Sequence, residues 1–121
     1  VSTRTVLIVD DHPAFRGLAH RLLSTAGFHV VGEADSGRVA IEKASRLQPA
    51  CVLLDVLLPD LDGFAVAERL AREGRPPRVV LTSSRSAGEL GERLERAPVH
   101  GFITKRDITA ERIGDLFGTG A

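Results

Sequence analysis

One cysteine, two lysines and no methionine occur in this chain of 121 residues, and no apolar run extends beyond a few positions. A lone cysteine excludes an internal disulfide, and Cys51, which opens an apolar run, reads as a small buried hydrophobe. The 16 basic and 16 acidic side chains cancel, which leaves no net field to draw the protein to nucleic acid or to an anionic membrane. Runs such as Val6 to Val9 and Cys51 to Leu54 fall far short of the roughly 20 residues that span a bilayer. The stretch before Asp10 leaves no room for the charged, apolar and cleavage segments of a secretory leader, so a cytoplasmic location is expected. Low-complexity segments, solenoid repeats and linkers are also lacking. One globular domain over residues 1–121 is therefore expected, and its composition, 43% hydrophobic and 26% charged, suits a real core.

What is present is an alternation of short apolar runs with segments of helical period, the pattern of repeated βα units around a parallel sheet. Strands are expected at Thr5 to Asp10, Cys51 to Asp55, Arg78 to Ser83 and Gly101 to Thr104, with a weaker one at His29 to Glu33. The first and third are apolar without alternation, so helices should cover both of their faces. Phe15, Leu18, Ala19, Leu22, Leu23 and Ala26 make one helical stripe, with Pro13 suited to its first turn and Gly27 to its end. Ala40, Ala44 and Leu47 make a second stripe before Pro49; Phe64, Ala67, Leu70 and Ala71 make a third before Gly74. Leu90, Leu94 and Ala97 make a fourth that ends at Pro98, and Ile113, Leu116 and Phe117 a short fifth. Gly88 and Gly91 each cost a helix about 1 kcal/mol relative to Ala, which makes the fourth helix the least secure. Five strands and five helices in alternation, with right-handed crossovers, predict a doubly wound, flavodoxin-like parallel sheet of order 2-1-3-4-5 in a three-layer sandwich.

The chemistry falls where the strands end. Asp10 and Asp11 close the first strand and Asp55 closes the third, and in this order the two strands are neighbours, so three carboxylates converge at the edge where such sheets bind ligands. Their mutual repulsion raises at least one pKa unless a cation offsets it. Mg²⁺ is the expected ion, because it accepts one or two carboxylates and keeps other positions for water and phosphate oxygens; Mn²⁺ is the alternative. Ca²⁺ is disfavoured by the lack of an EF-hand-like spacing of oxygen ligands. Lys105, after the fifth strand, offers a flexible ammonium to a phosphate oxygen, and Thr82 or Ser83, at the end of the fourth, a hydroxyl. Any one of these groups alone reads as a cap, a turn former or a solvated charge. Their coincidence on one edge is what points to a site.

Four segments carry a family resemblance: Val-Asp-Asp-His-Pro at 9 to 13, Leu-Leu-Asp-Val-Leu-Leu-Pro-Asp-Leu-Asp-Gly at 53 to 63, Leu-Thr-Ser-Ser at 81 to 84, and Gly-Phe-Ile-Thr-Lys at 101 to 105. In this order and spacing, over essentially the whole chain, the protein resembles bacterial response-regulator receiver domains of two-component systems. The resemblance implies that Asp55 accepts a phosphoryl group from a histidine kinase or a histidine-containing phosphotransfer protein, and that the chain is a phosphoacceptor rather than an enzyme, though one that assists its own phosphorylation and dephosphorylation. It implies a metal set of Asp10, Asp11, Asp55 and the backbone carbonyl of Leu57, with Lys105 and one hydroxyl on the phosphoryl group. A gapless count from Asp55 and Lys105 selects Ser83 as that hydroxyl, whereas reading the strand as apolar-apolar-hydroxyl selects Thr82; Ser83 is preferred. Phe102 takes the place of the family's switch aromatic, although alone it reads as a packed strand residue. Pro59 and Gly63 shape the loop after Asp55, the proline through its fixed φ and the glycine through its permissive φ. Arg106 stands where many receivers have proline. His12 reads as a loop residue rather than a ligand.

Three rival readings are weaker. A haloacid-dehalogenase-like phosphatase would have a second Asp two residues after the first, where Leu57 stands; a nucleotide or flavin binder would have a glycine-rich loop after the first strand. An unphosphorylated docking pseudo-receiver would not need the intact set of acids, hydroxyl and lysine. The Asp-Asp-His-Pro opening and Val-Val-Gly-Glu-Ala at 30 to 34 resemble the subfamily that often carries a C-terminal helix-turn-helix, which is not in this sequence. The expectation is a stand-alone receiver whose partners are a kinase and a downstream protein, with a homodimer formed on phosphorylation as a further option and with no direct contact to nucleic acid or membrane. The alternative is the receiver of a longer DNA-binding regulator. Gly118 to Ala121 read as a fraying end.

Overall fold

The computed structural model describes residues 4–118, so Thr119 to Ala121 of the expected fraying end lie outside the described residues. Five strands, β1 (Thr5–Val9), β2 (His29–Ala34), β3 (Cys51–Asp55), β4 (Arg78–Ser83) and β5 (Gly101–Thr104), form one parallel sheet of order β2-β1-β3-β4-β5. The connections are α1 (Pro13–Thr25), α2 (Gly37–Leu47), α3 (Gly63–Ala71), then two short pieces, α4 (Ala87–Leu90) and α5 (Glu92–Arg96), and finally α6 (Ala110–Phe117). The doubly wound architecture is the one expected.

Strand alternation sends side chains to two cores. Leu7, Val9, Val52, Leu54, Val79 and Leu81 pack with Ala40 and Ala44 of α2 and Phe64, Val66, Ala67 and Leu70 of α3. Val6, Ile8, Cys51, Leu53, Val80 and Ile103 pack on the other face with Ala19 and Leu23 of α1 and Ile113 and Phe117 of α6. Every residue of β3 is buried, as two-sided coverage demands. Burying a side chain such as Leu54 or Leu70, both 0% exposed, stabilises by about 1.5–3 kcal/mol. That reservoir offsets the polar groups the sheet must hold at its carboxyl edge.

The helix starts follow capping chemistry. Ser36, Asp62 and Thr109 accept from the backbone N–H groups of Val39, Ala65 and Arg112, and Ser86 with Glu89 forms a reciprocal capping box. Gly27, at φ +93°, follows α1.

The structure departs from the sequence expectation at several element ends and inside the fourth helix. β1 ends at Val9, so Asp10 already lies beyond the strand. The fourth helix is not continuous: Gly91, at φ +60° and ψ −138°, separates α4 from α5 in a conformation that L side chains rarely adopt. The last helix begins at Ala110, earlier than its apolar stripe, because Thr109 caps it there.

Candidate functional site

Asp10, Asp11, Asp55 and Lys105 converge at the carboxyl edge, as expected. Asp10 is fully buried and Asp55 is 3% exposed. The two oxygens of Asp10 face different partners: Oδ2 lies 2.6 Å from Lys105 Nζ as an ion pair, while Oδ1 accepts the His12 backbone N–H at 2.8 Å. Lys105 Nζ also donates to Asp55 Oδ2 at 3.3 Å and sits 4.5 Å from the centroid of the Phe15 ring, a favourable place for a cation. The other Asp55 oxygen accepts the Leu57 backbone N–H at 3.2 Å.

Burial raises the pKa of Asp55, and the charge of Asp10 raises it further, against the opposing pull of Lys105 and the Leu57 N–H. Burial alone would lower the pKa of Lys105, but the Asp10 and Asp55 carboxylates outweigh it and hold the ammonium above the ordinary lysine value. The lysine is therefore a fixed positive charge. With all three acids ionised, one ammonium leaves two negative charges uncompensated, which is the charge of one divalent cation.

Donor atoms from Asp10, Asp11, His12 and Asp55 all lie within 4.8 Å of one another. An octahedral ion with bonds of about 2.0–2.1 Å spans roughly 4 Å between opposite ligands, so the set fits a dication with small adjustments. Leu57 supplies its backbone beside this set, while its side chain is 75% exposed. Arg16 of α1 supports the centre from behind: its Nη1 donates to the Asp10 carbonyl at 2.7 Å and its Nε to Glu33 Oε1 at 2.9 Å.

A cleft of about 340 Å³ opens over the site, and Asp55, Phe64, Ser83, Arg93 and Lys105 are among the residues that line it. Ser83 lies on this cleft and its hydroxyl accepts the Arg85 backbone N–H at 3.0 Å. Thr82 is not among the lining residues; it is buried between its register partners Asp55 and Ile103, and its hydroxyl has no hydrogen-bond partner among the described residues. Phe102 is half-buried against the α2–α3 core. Pro59 stands in the loop after Asp55, and Lys105 opens a short 3₁₀ turn, Lys105–Asp107.

Gly63 is required for a different reason from the one expected. Its φ is not positive. A Cβ there would instead run into the Asp55 carbonyl oxygen and lie 2.7 Å from Val56 Cα, because the Gly63 N–H donates to the Val56 carbonyl at 2.6 Å and draws the loop tight under Asp55.

His12, read from the sequence as a loop residue, does lie in the loop before α1, and its Nδ1 comes within 3.1 Å of both Asp10 Oδ1 and Asp11 Oδ1; sequence reasoning missed Arg93, whose Nη2 meets Asp62 Oδ2 at 2.6 Å with its guanidinium 4.5 Å over the Phe64 ring. The only cue to that approach was the place of His12 directly after the two acids. No local cue marks a pair 31 residues apart.

Residues 6–115 match the response regulator receiver domain model, and the chain belongs to this family. The signal receiver domain of the response regulator NarL from Mycobacterium tuberculosis superimposes with a TM-score of 0.86 at 34% identity, over 95% of this chain and 93% of that one. The response regulator GacA of Pseudomonas viridiflava is 36% identical over 89% of this chain and 51% of its own length. A protein-glutamate methylesterase/protein-glutamine glutaminase of Myxococcus xanthus is 44% identical over 98% of this chain and 35% of its own length. The chain thus spans about half the length, or less, of these curated relatives. No helix among the described residues is long and apolar enough to cross a membrane.

Proposed function

We propose that this receiver takes a phosphoryl group onto Asp55 from a histidine kinase or a phosphotransfer protein, and that the added charge switches its contacts with a downstream protein. The observation that carries this reading is the placement of Asp55: 3% exposed, on the wall of an open cleft, and 3.3 Å from a lysine that also pairs with Asp10. An Asp55 oxygen attacks the phosphorus of a phosphohistidine; the P–O bond forms as the P–N bond breaks, and the imidazole leaves with the electron pair. Lys105 and the Ser83 hydroxyl face the equatorial oxygens, with Thr82 as the alternative hydroxyl. Positioning and electrostatics supply the rate.

Asp10, Asp11, Asp55 and the Leu57 carbonyl would hold Mg²⁺, or Mn²⁺ in its place, which would supply positive charge to the phosphoryl oxygens. The Asp55 carboxylate must be free of its proton to attack, and Lys105 favours that form. The acyl phosphate adds roughly one to two negative charges beside Lys105. Phe102 and the α4–α5 segment respond to it, and Pro59 and Gly63 keep the loop under Asp55 rigid. The chain acts as a phosphoacceptor rather than as an enzyme on other substrates. That it spans about half the length of GacA favours a second arrangement, in which it works as the receiver of a longer regulator.

Incubation with a small acyl phosphate and Mg²⁺, followed by intact-mass measurement, tests the reading. Wild type gains one phosphoryl group and Asp55→Asn gains none. An unmodified wild type, at Mg²⁺ concentrations where calorimetry shows the ion bound, overturns phosphoacceptance in favour of docking alone.

A further inference from the structure

The loop residue His12 turns its imidazole to the acid cluster, within hydrogen-bond distance of Asp10. Its main chain is pinned, since its N–H donates to Asp10 Oδ1 at 2.8 Å and Pro13 starts α1 directly after it. Its side chain does not cap that helix. Instead Nδ1 turns to the acids, 3.1 Å from Asp10 Oδ1 and 3.1 Å from Asp11 Oδ1, although the side chain is 67% exposed.

The division of Asp10 gives this orientation its meaning. Oδ2 faces Lys105 at 2.6 Å, so the oxygen that Asp10 turns toward Asp11 and the imidazole is Oδ1, which also accepts the His12 N–H. An ion seated against Asp10 Oδ1 and Asp11 Oδ1 therefore lies within reach of His12 Nδ1, whose donor atom falls in the same 4.8 Å set as the three carboxylates.

We propose that His12 is a fourth side-chain ligand of the metal centre and determines its ion preference, giving an otherwise all-oxygen site a nitrogen donor for first-row transition dications such as Ni²⁺ or Zn²⁺. The inference rests on the metal-binding reading above and goes beyond it in the identity of the ion. Carboxylates and carbonyls alone suit Mg²⁺ and Mn²⁺, whereas imidazole suits Ni²⁺, Zn²⁺ and Cu²⁺. In the bound form Nδ1 presents its lone pair to the ion and the proton resides on Nε2. Mg²⁺ keeps several waters and dehydrates reluctantly, so a water replaces the imidazole at little cost to it. The histidine thus leaves Mg²⁺ binding intact and adds a second mode.

Calorimetric titrations of wild type, His12→Ala and His12→Asn with Mg²⁺, and separately with Ni²⁺, at one fixed pH, test this. Asn is itself a good N-cap, so the second variant preserves the start of α1. His20, His29 and His100 offer Ni²⁺ other places, and displacement by excess Mg²⁺ identifies the fraction bound at this centre. Loss of His12 should weaken that Ni²⁺ fraction at least about tenfold, the lower end of what even outer-shell losses cost a metal site, and leave the Mg²⁺ Kd within about twofold. Equal changes for the two ions, or none, overturn the role of His12 while Mg²⁺ binding stands. A wild type that binds no Mg²⁺ overturns the metal reading and this inference with it.

Discussion

Asp55 is held in a state that costs the folded protein stability. Burial and the neighbouring Asp10 charge raise its pKa above the ordinary carboxylate value, with Lys105 offsetting only part of the effect. An acid with a raised folded pKa binds more protons folded than unfolded, so stability falls as pH climbs from the ordinary carboxylate range through the raised folded value. Asp55→Asn removes that term, and it does not strand Lys105, which keeps Asp10 at 2.6 Å. Without metal, Asp55→Asn should therefore be more stable than wild type at neutral pH. The gap should close below the ordinary carboxylate pKa, where both states of the wild type are protonated. Denaturant midpoints of the two proteins in chelator across pH check this, and a less stable Asn variant at neutral pH would show that Lys105 dominates. A phosphoacceptor that strains the resting fold is one that a cation or a phosphoryl transfer relieves.

The elements differ in how firmly they are held. β1, β3 and β4 are buried almost throughout, whereas α4 and α5 bury no residue fully. Leu94 packs against the α2–α3 core, and Arg93 ties α5 to Asp62 and to the face of Phe64. Burial alone would raise the pKa of Asp62, but its hydrogen bonds from Arg93 and the Ala65 N–H win and keep it below the ordinary value. Arg93 is 61% exposed, so the pair is worth at most about 1 kcal/mol. Arg93→Gln should accordingly lower global stability by less than about 1 kcal/mol while amide exchange speeds up in Glu92–Arg96 and stays unchanged in α1. Unchanged exchange in α5 would mean that Leu94 and its apolar neighbours hold the segment without the arginine. The instability of this helix was legible in Gly88 and Gly91, and the chain breaks at the second of them. The fastening was not, because a contact between Arg93 and a loop 31 residues earlier leaves no periodicity and no local motif.

At the scale of the molecule, the sheet was readable because uninterrupted runs such as Val6–Val9 can be buried only between two helical layers, and right-handed crossovers then allow few orders. The acid cluster was readable for the same reason, since strand order carries Asp10 and Asp55 to one edge. Side-chain direction was not. Nothing in Asp-Asp-His-Pro says that the imidazole turns inward, and Gly63 was read for its φ when its need is steric. The assembled edge is an excess of negative charge built into a stable sheet, so an ion that binds only the folded form must raise its stability. Mg²⁺ at ten times its Kd contributes about 1.4 kcal/mol, a rise of several degrees in Tm for a domain of this size. Asp11 is the side chain with which to test the linkage: at 36% exposure it can be changed to Asn with little effect on the ion-free fold, whereas Asp10→Asn would also strip Lys105 of its nearest partner. Asp11→Asn should match wild type in Tm in chelator and lose most of the Mg²⁺-dependent rise. If the rise persists in full, the ion stabilises the protein from somewhere other than this edge.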